Sequence, residues 1–460
     1  MKKNTQILIV FLILSLFFIH FSYSQNGISI SKRSPSGKVR CSSVEYEKYL
    51  KLNNPKRATK EEFENWIGPK IIEYKKNQAI KRTTSTIITI PVVIHIIHNG
   101  DAIGVDENIS DAQALSQITV LNQDFRKMLG TPGYNTNVVG ADMEIEFSMA
   151  KRKPDGTATN GIDRVKRSTA QYATMNNTEN MKAATQWDPT KYFNIWTVYF
   201  SDNQNKEQYG TLGYAQFPST SGLSGITTAD EGAANTDGVV IDYRNFGTSD
   251  IATGPYSQGY DKGRTATHEI GHCFGLVHIW GDGNGNPDTG NTDCSATDYC
   301  ADTPQSGYEH YECGTFDTCT SKAGKDMVEN YMDYTEDACM NIFTLNQKDR
   351  ITAVINNSPR RKELKTSNAS SPLLSSDTFD FLNGFYLYPN PSQNVLNISI
   401  LQSELPDSFL VYNSLGQTIE NKKIHSNNDL KINTSSYSKG VYLIKIIKDN
   451  ATKTLQFIKE

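Results

Sequence analysis

The chain has 460 residues, and its 46 lysines and arginines nearly balance its 50 aspartates and glutamates, so the formal net charge is −4 at pH 7. This length allows two or three domains, and the even mixing of acidic and basic residues argues against a nucleic-acid-binding protein. Beyond the first 24 residues no stretch approaches about 18 apolar residues, so we expect no transmembrane segment in the mature protein.

Residues 1–24 have the composition of a secretory signal peptide. Lys2 and Lys3 precede an apolar run from Ile7 to Phe21, and residues 22–24 provide a small-residue cleavage site. The apolar run is short for a membrane span, and a retained membrane anchor is the alternative. We therefore predict that the chain is exported.

Residues 25–85 are polar and rich in lysine, with helical patterns near residues 44–50 and 60–74. They contain one cysteine, Cys41, and a thiolate is a strong ligand for zinc. The dibasic pair Lys81-Arg82 stands just before the next predicted strand. It is a candidate site for proteolytic maturation.

Residues 86–359 alternate between strand-like and helix-like patterns. The patterns predict strands near 86–98, 143–151, 192–200 and 237–242, and helices near 110–127 and 263–274. Ser110 directly before Asp111 is typical of a helix start. Residues 213–218 are expected to lie near the cleft.

Residues 268–278 read His-Glu-Ile-Gly-His-Cys-Phe-Gly-Leu-Val-His. On a helix, His268 and His272 lie one turn apart on one face, so both imidazoles can bind one Zn²⁺. Glu269 lies beside the metal, where a carboxylate can take a proton from a zinc-bound water. Gly275 allows the helix to end, which makes His278 available as a third ligand. A core helix with satisfied histidines is the alternative.

Downstream, residues 329–334 read Glu-Asn-Tyr-Met-Asp-Tyr. A long zinc motif followed by a methionine-containing turn resembles the metzincin metalloproteases. In that class the methionine forms an apolar floor beneath the metal, a position that Met332 matches. A tyrosine two residues later, as in the astacin, serralysin and pappalysin branches, stabilises the oxyanion, and the resemblance gives that role to Tyr334.

Three further stretches resemble the pappalysin family, in particular its bacterial, cytophagalysin-like members. They are Ile-Pro-Val-Val-Ile-His-Ile-Ile-His at 90–98, Asp-Tyr-Cys-Ala-Asp-Thr-Pro at 298–304, and Asp-Ala-Cys-Met-Asn-Ile-Phe-Thr at 337–344. Astacins usually carry a glutamate after the third histidine, whereas Ile279 stands there. The resemblance covers about residues 85–358. It implies an α+β metzincin domain over 86–359, with a mixed twisted sheet, an active-site helix and a Met-turn lobe.

The same resemblance implies that the chain is a zymogen with a prosegment at 25–85. Pappalysin-like zymogens block their zinc with a cysteine, and Cys41 matches that cysteine switch, with a cysteine without function as the alternative. Family members also bind Ca²⁺ beside the active site, at positions that Asp298, the Ala301 carbonyl and Thr303 resemble. A solvated acidic loop is the alternative there.

Family members often favour basic residues beside the cut. Glu336 or Asp337, just past the Met-turn, offers a carboxylate for such a pocket. The residues alone do not say which position lines it.

Six of the seven cysteines lie between residues 273 and 339, which suits an oxidising compartment. The resemblance suggests the bridges Cys294–Cys319 and Cys313–Cys339. An even pairing of all six would leave Cys41 free and would add Cys273–Cys300 as a third bridge, but six cysteines allow 15 connectivities. A second zinc site on Cys294, Cys300, Cys313 and Cys319 has the wrong spacing for usual fingers.

The C-terminal part is predicted to be a separate module. Residues 360–383 are rich in Ser, Asn and Lys and indicate a linker, and residues 384–460 contain short alternating strands typical of a small β-sandwich. The Tyr-Pro-Asn-Pro sequence at 388–391 and the strand at 440–444 resemble the C-terminal sorting domain of the type IX secretion system of Bacteroidetes. A carbohydrate-binding sandwich is the alternative.

These features favour a secreted or surface-attached zinc endopeptidase, monomeric, with protein or peptide substrates and the type IX secretion machinery as its export partner. One rival is a non-catalytic binding protein on a protease-like scaffold. Another is a zinc hydrolase of non-peptide amides or esters, because a fold alone does not fix a substrate.

Overall fold

The computed structural model describes residues 32–80, 87–219, 234–372, 385–400, 405–448 and 451–460. The chain divides into two compact units, Met1–Ser371 and Pro372–Glu460. The predicted signal peptide, the Lys81-Arg82 pair and residues 373–383 of the expected linker lie outside the described residues. Among the described residues, no helix is both long enough and apolar enough to cross a membrane.

The first unit is built around a six-stranded sheet of mixed direction. Its strands are β1 (Ile88–His98), β2 (Ile145–Met149), β3 (Ile162–Lys166), β4 (Phe193–Val198), β5 (Gly213–Ala215) and β6 (Val239–Asp242). The order is β2-β1-β4-β6-β5, and β3 also pairs with β1. The pairs are parallel except for β5, which runs antiparallel to β6 at the edge of the sheet.

Helices cover both faces of this sheet, as parallel strands require. They are α1 (Ser43–Asn53), α2 (Lys60–Ile80), α3 (Asp111–Phe125), α4 (Met175–Thr185), α5 (Arg264–Cys273) and α6 (Leu345–Asn357). Side chains at alternating positions of β1, from Ile90 to Ile96, share one core with α3, α5 and the Met-turn. Ile97 lies in a second core with Trp196, α1 and α4.

Local chemistry explains the helix starts. The Ser110 hydroxyl accepts the amide hydrogen of Gln113 at the start of α3, as the Ser-Asp sequence indicated. Thr344 and Gln347 form a complete capping box at the start of α6. The predicted strands and both predicted helices are present, whereas β3, α4 and α6 were not predicted.

The segment that precedes β1 is part of the first unit. Val39 pairs in parallel with Thr211, and α2 packs on α6 through Phe63, Ile67 and Val354. The two helical patterns expected near residues 44–50 and 60–74 correspond to α1 and α2. The segment that we predict to be a prosegment therefore reaches both the edge of the sheet and helix α6.

The first unit continues to Ser371, beyond the boundary at 359 that the sequence indicated. Arg361 is buried. Its Nη2 donates to Asp237 Oδ1 at 2.8 Å, and its Nε donates to the Cys273 carbonyl at 2.7 Å. A buried guanidinium is stable only with such partners. Residues 360–371 are therefore packed chain.

The second unit contains two antiparallel sheets that share one core. Its strands are β7 (Phe385–Tyr388), β8 (Val395–Ile400), β9 (Ser408–Asn413), β10 (Thr418–Lys423), β11 (Lys431–Asn433), β12 (Gly440–Lys448) and β13 (Ala451–Lys459). The sheet orders are β10-β9-β12-β13 and β11-β8-β7. This is the expected small all-β sandwich.

Both disulfides that the resemblance suggested are formed, Cys294–Cys319 and Cys313–Cys339. The third is not, because Cys273 and Cys300 are buried free thiols. Cys273 ends α5, where its Sγ lies 3.1 Å from Nη2 of Arg361. The parity argument is therefore wrong, and Cys41 is one of three free cysteines.

Candidate metal centre

The turn that ends α5 brings the third histidine back to the first two. Gly275 has a φ of 90°, a left-handed conformation that glycine adopts without strain. Its amide donates to the His272 carbonyl at 2.8 Å, and the Leu276 amide donates to the Gly271 carbonyl at 2.9 Å. These two bonds form a Schellman motif, which reverses the chain and places His278 beside the helix.

The three histidines converge through their Nε2 atoms. The Nε2 distances are 3.1 Å for His268–His272, 3.2 Å for His268–His278 and 3.0 Å for His272–His278. Cys41 completes the cluster, and the four ligand atoms lie within 4.8 Å of one another. All four side chains are buried.

Each histidine is fixed in the tautomer that metal binding requires. Nδ1 of His268 donates to the Tyr331 carbonyl at 2.6 Å, and Nδ1 of His272 donates to the Leu276 carbonyl at 2.8 Å. Nδ1 of His278 pairs with the carboxylate of Asp282. Because a carbonyl oxygen only accepts, the proton of His268 and His272 is on Nδ1, and the Nε2 lone pairs face the common centre.

Burial and the neighbouring imidazoles lower the pKa of two of these rings. Burial, followed by His272 and His278, lowers the pKa of His268 well below its usual range. Burial and His278 lower the pKa of His272 to about 3. Three imidazole nitrogen donors and one sulfur donor are the set that zinc prefers over calcium or magnesium. The residues present therefore fit a zinc ion.

Glu269 stands next to this centre and is completely buried. Its Oε2 accepts a hydrogen bond from the Ser43 hydroxyl at 2.7 Å and one from the Cys41 thiol at 3.4 Å. Its Oε1 has no hydrogen-bond partner among the described residues. Burial raises the pKa of Glu269 to about 8. Gly213 of β5 makes room for it, since a Cβ there would lie 3.1 Å from Cγ of Glu269.

Met332, which the resemblance places beneath the metal, packs against the active-site helix. It is fully buried, and a Cβ on Gly271 would lie only 2.5 Å from its sulfur. Gly271 is therefore the residue that lets α5 approach the Met-turn. The Tyr334 hydroxyl donates to the Cys41 carbonyl at 3.3 Å, and its ring lies 4.8 Å from the ring of His278.

A buried histidine holds the Met-turn in place. His310 donates from its amide to Asp333 Oδ1 at 3.0 Å, and its ring lies 2.9 Å from Asp333 and 3.0 Å from Asp326. Asp333 Oδ1 also accepts the Tyr334 amide at 2.8 Å. Burial lowers the pKa of His310, but the two carboxylates outweigh it and raise the pKa to about 9.

The residue before Cys41 fills a second polar site. Arg40 is buried, and its Nη1 donates to Asp337 Oδ1 at 2.7 Å and to the Thr265 hydroxyl at 3.1 Å. The guanidinium lies 5.0 Å from the ring centre of Tyr260. The other carboxylate oxygen of Asp337 accepts the amides of Lys262 at 2.9 Å and Arg264 at 3.1 Å, so Asp337 also caps α5. Glu336 is exposed.

Further along the prosegment, Tyr46 is buried on the opposite face of the sheet. Its hydroxyl donates to Glu179 at 2.8 Å and accepts from the Lys182 ammonium at 3.1 Å. Its ring lies 4.7 Å from the ring of Tyr214 in β5. Tyr46 therefore anchors the prosegment across the edge strand.

The residues suggested for calcium lie together in the loop after α5. The Thr303 hydroxyl lies 2.7 Å from Asp298 Oδ2 and 2.6 Å from the Cys300 carbonyl. Asp298, Ala301 and Thr303 line one cavity of about 350 Å³. Burial raises the pKa of Asp298 to about 7. These residues are separate from the histidine cluster.

Sequence reasoning missed several residues of the centre. Ser43 contacts Glu269, Arg40 pairs with Asp337, and Asp282 orients His278. Asp282 could have been found, since it follows the third histidine by four residues. Ser43 and Arg40 lie more than 200 residues from their partners, and no local pattern signals such pairs.

Two family models match the chain. Residues 176–356 match the peptidase family described as pregnancy-associated plasma protein-A. Residues 386–460 match the secretion system C-terminal sorting domain. An extracellular metalloprotease of Colletotrichum graminicola is 43% identical over 141 residues, which are 30% of this chain and 44% of that protein. The chain thus matches less than half of that relative's length.

Two solved structures are similar over a longer part of the chain. Tannerella forsythia mature mirolysin, in complex with a cleaved peptide, is 40% identical with a TM-score of 0.51, covering 62% of this chain and 97% of that one. A mutant of Tannerella forsythia promirolysin is 35% identical with a TM-score of 0.51, covering 67% of this chain and 94% of that one.

Proposed function

Because the chain belongs to the pappalysin family of metalloproteases, we propose that it is a secreted zinc endopeptidase that is made in a latent form. One observation carries the proposal: three histidine nitrogens and the Cys41 sulfur surround one point, and the carboxylate of Glu269 stands beside it. The sorting domain at 386–460 directs export through the type IX secretion system.

The chain's own residues account for the proton transfers of peptide hydrolysis. A bound zinc ion supplies a Lewis acid that acidifies water and polarises a carbonyl. Glu269 accepts the proton of the attacking water and passes it to the leaving amine as the peptide C–N bond breaks. The Tyr334 hydroxyl donates to the oxygen that becomes negative. His268, His272 and His278 hold the metal.

The prosegment engages each of these groups. The Cys41 sulfur is the fourth ligand atom of the cluster, beside the three histidine nitrogens. The Ser43 hydroxyl donates a hydrogen bond to Glu269, and the Cys41 carbonyl accepts one from the Tyr334 hydroxyl. The same segment hydrogen-bonds to the edge strand, with the Ser42 amide donating to the Gly213 carbonyl at 3.0 Å. Glu269, Tyr334 and the three histidines are all buried while this segment is in place. Latency by a cysteine switch follows from these contacts.

The pocket that contains Arg40 supports a preference for a basic residue beside the cut. A guanidinium there meets the Asp337 carboxylate and the face of Tyr260. A neutral side chain would leave a buried carboxylate without a counter-charge, which costs binding energy. Arg40 thus marks where the corresponding substrate residue binds.

The experiment that tests this function is casein cleavage by the secreted protein, with and without a zinc chelator, for wild type and Cys41→Ala. We expect proteolysis that the chelator abolishes and that appears earlier in Cys41→Ala. Ser42→Ala is the matched control, because Ser42 contacts Thr211 and no group of the centre.

Three other outcomes are informative. Proteolysis with equal onset in wild type and Cys41→Ala would remove the switch and keep the enzyme. Cleavage of small acyl esters without cleavage of casein would favour a hydrolase of non-peptide substrates. No hydrolysis of either, after removal of the prosegment, would favour a binding scaffold.

We also propose that the loop after α5 binds Ca²⁺ through Asp298, the Ala301 carbonyl and Thr303. The support is that two of these hard oxygen donors lie within 2.7 Å of each other at a cavity beside α5. Removal of calcium alone should lower the melting temperature, and Asp298→Asn should abolish that response. An unchanged melting temperature would contradict the site.

A further inference from the structure

A second cationic side chain of the prosegment lies in a pocket of its own. The Lys32 ammonium lies 2.5 Å from Glu309 Oε2, and the Glu309 side chain is only 2% exposed. The same ammonium lies 5.3 Å from the ring centre of Trp280. The Tyr311 hydroxyl donates to the other oxygen of Glu309 at 3.4 Å. We name these three residues, Trp280, Glu309 and Tyr311, the lysine pocket.

The lysine pocket is continuous with the metal centre. The indole of Trp280 stacks on the ring of His278 with centres 4.4 Å apart and an interplanar angle of 7°. It also contacts the ring of Tyr334 at 4.7 Å. One cavity of about 320 Å³ is lined by Cys41, His278 and Tyr334 at the centre and by Glu309 and Tyr311 at the pocket. A peptide bound at the centre therefore has a direct path to Glu309.

The chemistry of the pocket selects a cation. Among the described residues, Lys32 is the charged partner of Glu309, so departure of the prosegment leaves this carboxylate without a counter-charge, with the Tyr311 hydroxyl as its hydrogen-bond donor. Such a group gains more from an ammonium or guanidinium than from a neutral side chain. The indole face adds a cation–π contact. An acidic side chain is excluded by charge.

We propose that the lysine pocket is a second substrate subsite that binds a lysine or arginine side chain. The enzyme then reads two basic residues in one substrate, one at Asp337 beside the cut and one at Glu309 farther along. This inference rests on the proposed function, because it deepens the specificity of the same cleft. Lys32 and Arg40 of the prosegment occupy the two places in the latent chain.

Peptide cleavage by the activated enzyme tests the subsite. A peptide library is cleaved by wild type, Glu309→Gln and Glu312→Gln, the last being an exposed carboxylate three residues away. In wild type we expect a basic preference at two positions. For a peptide pair that differs by lysine or glutamine at the second position, kcat/KM should differ by about tenfold or more.

Glu309→Gln should lose the preference at the second position and keep the one beside the cut. The ratio of its kcat/KM values for the lysine and glutamine peptides should fall toward one, and its melting temperature, measured alongside, separates lost recognition from a damaged fold. Glu312→Gln should match wild type for both peptides. A single basic preference in wild type, or two undiminished preferences in Glu309→Gln, would overturn the subsite.

A binding measurement keeps the test independent of catalysis. Lys32→Ala vacates the pocket in the full-length latent chain. Saturation-transfer NMR should then detect N-acetyl-lysine amide, with a dissociation constant on the order of millimolar, and not N-acetyl-norleucine amide. Lys32→Ala/Glu309→Gln should bind neither, and equal binding of the lysine probe to both variants would overturn the proposal. If no variant cleaves peptides, the proposed function fails and this measurement still decides on the pocket.

Discussion

Two regions of the molecule meet at the metal centre, and their polar groups are satisfied in different ways. The groups of the region from α5 to the Met-turn are oriented by bonds within that region. His268 donates to the Tyr331 carbonyl, His272 to the Leu276 carbonyl, and Asp333 holds the amide of Tyr334. The polar groups of the prosegment instead bond to the reactive groups themselves. Ser43 donates a hydrogen bond to Glu269, and Arg40 donates one to Asp337.

In the proposed latent enzyme and its activation, this difference would let one centre be both preformed and blocked. The ligands need no partner from the prosegment to keep their tautomers and positions, so its departure leaves them in place. The groups that lose a partner are Glu269, Tyr334 and Asp337, which then become free for water and substrate. Preorganisation and inhibition are thus carried by separate sets of bonds.

The largest expected effect comes from Glu269, which belongs to α5 and accepts a hydrogen bond from Ser43 of the prosegment. Glu269→Gln should lower casein cleavage by about 10³-fold, because the proton acceptor is lost. Zinc content, measured by mass spectrometry, should stay at the wild-type level, because Glu269 makes no contact that orients a histidine. Glu336→Gln, an exposed carboxylate near the Met-turn, is the control. Loss of zinc from Glu269→Gln would show that the bonds that orient the histidines are not independent of Glu269.

Removal of the ion pairs of His310 tests the preformed region. The pKa of His310 is raised to about 9 from about 6.5 in an unfolded chain, so its stabilisation is complete below pH 6.5 and is lost as the pH rises through 9. A shift of this size corresponds to about 3 kcal/mol. His310→Gln should therefore lower stability to urea at pH 6 and differ little from wild type at pH 10.

The same measurement on His425→Gln, an exposed histidine of the second unit, should show no such pH dependence. A His310→Gln penalty that is equal at both pH values would mean that packing, and not the charge of the imidazolium, holds the Met-turn.

A smaller effect is expected from the close approach of α5 to its floor. Gly271→Ala places a methyl group 2.5 Å from the Met332 sulfur. Overpacking of this kind, offset in part by the better helix propensity of alanine, should cost about 1–2 kcal/mol in urea unfolding. In a Met332→Ala background the cost should disappear, and additive penalties would contradict the contact.

The smallest effect should come from the far anchor of the prosegment. Tyr46→Phe removes one hydroxyl from Glu179 and Lys182, a loss of about 1 kcal/mol. The rate of activation by added trypsin should rise about fivefold, and Tyr49→Phe on the same helix is the control. An unchanged rate would show that the prosegment is held by the metal-facing contacts alone.

The sequence predicted the parts of the centre that obey local geometry. Histidines at a spacing of four, a glycine after the helix and a third histidine beyond it define the ligand set because one turn of helix and one Schellman motif position all of them. Met332 and Tyr334 followed from the family resemblance, and the Met-turn lies where that resemblance placed it.

The rest depends on contacts between distant parts of the chain. Arg40 and Asp337 are separated by 297 residues, and nothing near either residue specifies the other. The strand β3 was missed because its short sequence is half-buried and polar, a pattern that pairing to β1 overrides. The prediction of a third disulfide was wrong because an even number of cysteines does not say which of them lie close together.

Asp337 serves two purposes at once. Its carboxylate pairs with Arg40 and also accepts hydrogen bonds from amides at the start of α5. Replacing it to redirect cleavage toward other residues would unravel the start of the helix that carries His268. A substitution at this position is therefore penalised twice, because one carboxylate supports the start of the helix and, in the proposed function, the charge of the substrate pocket.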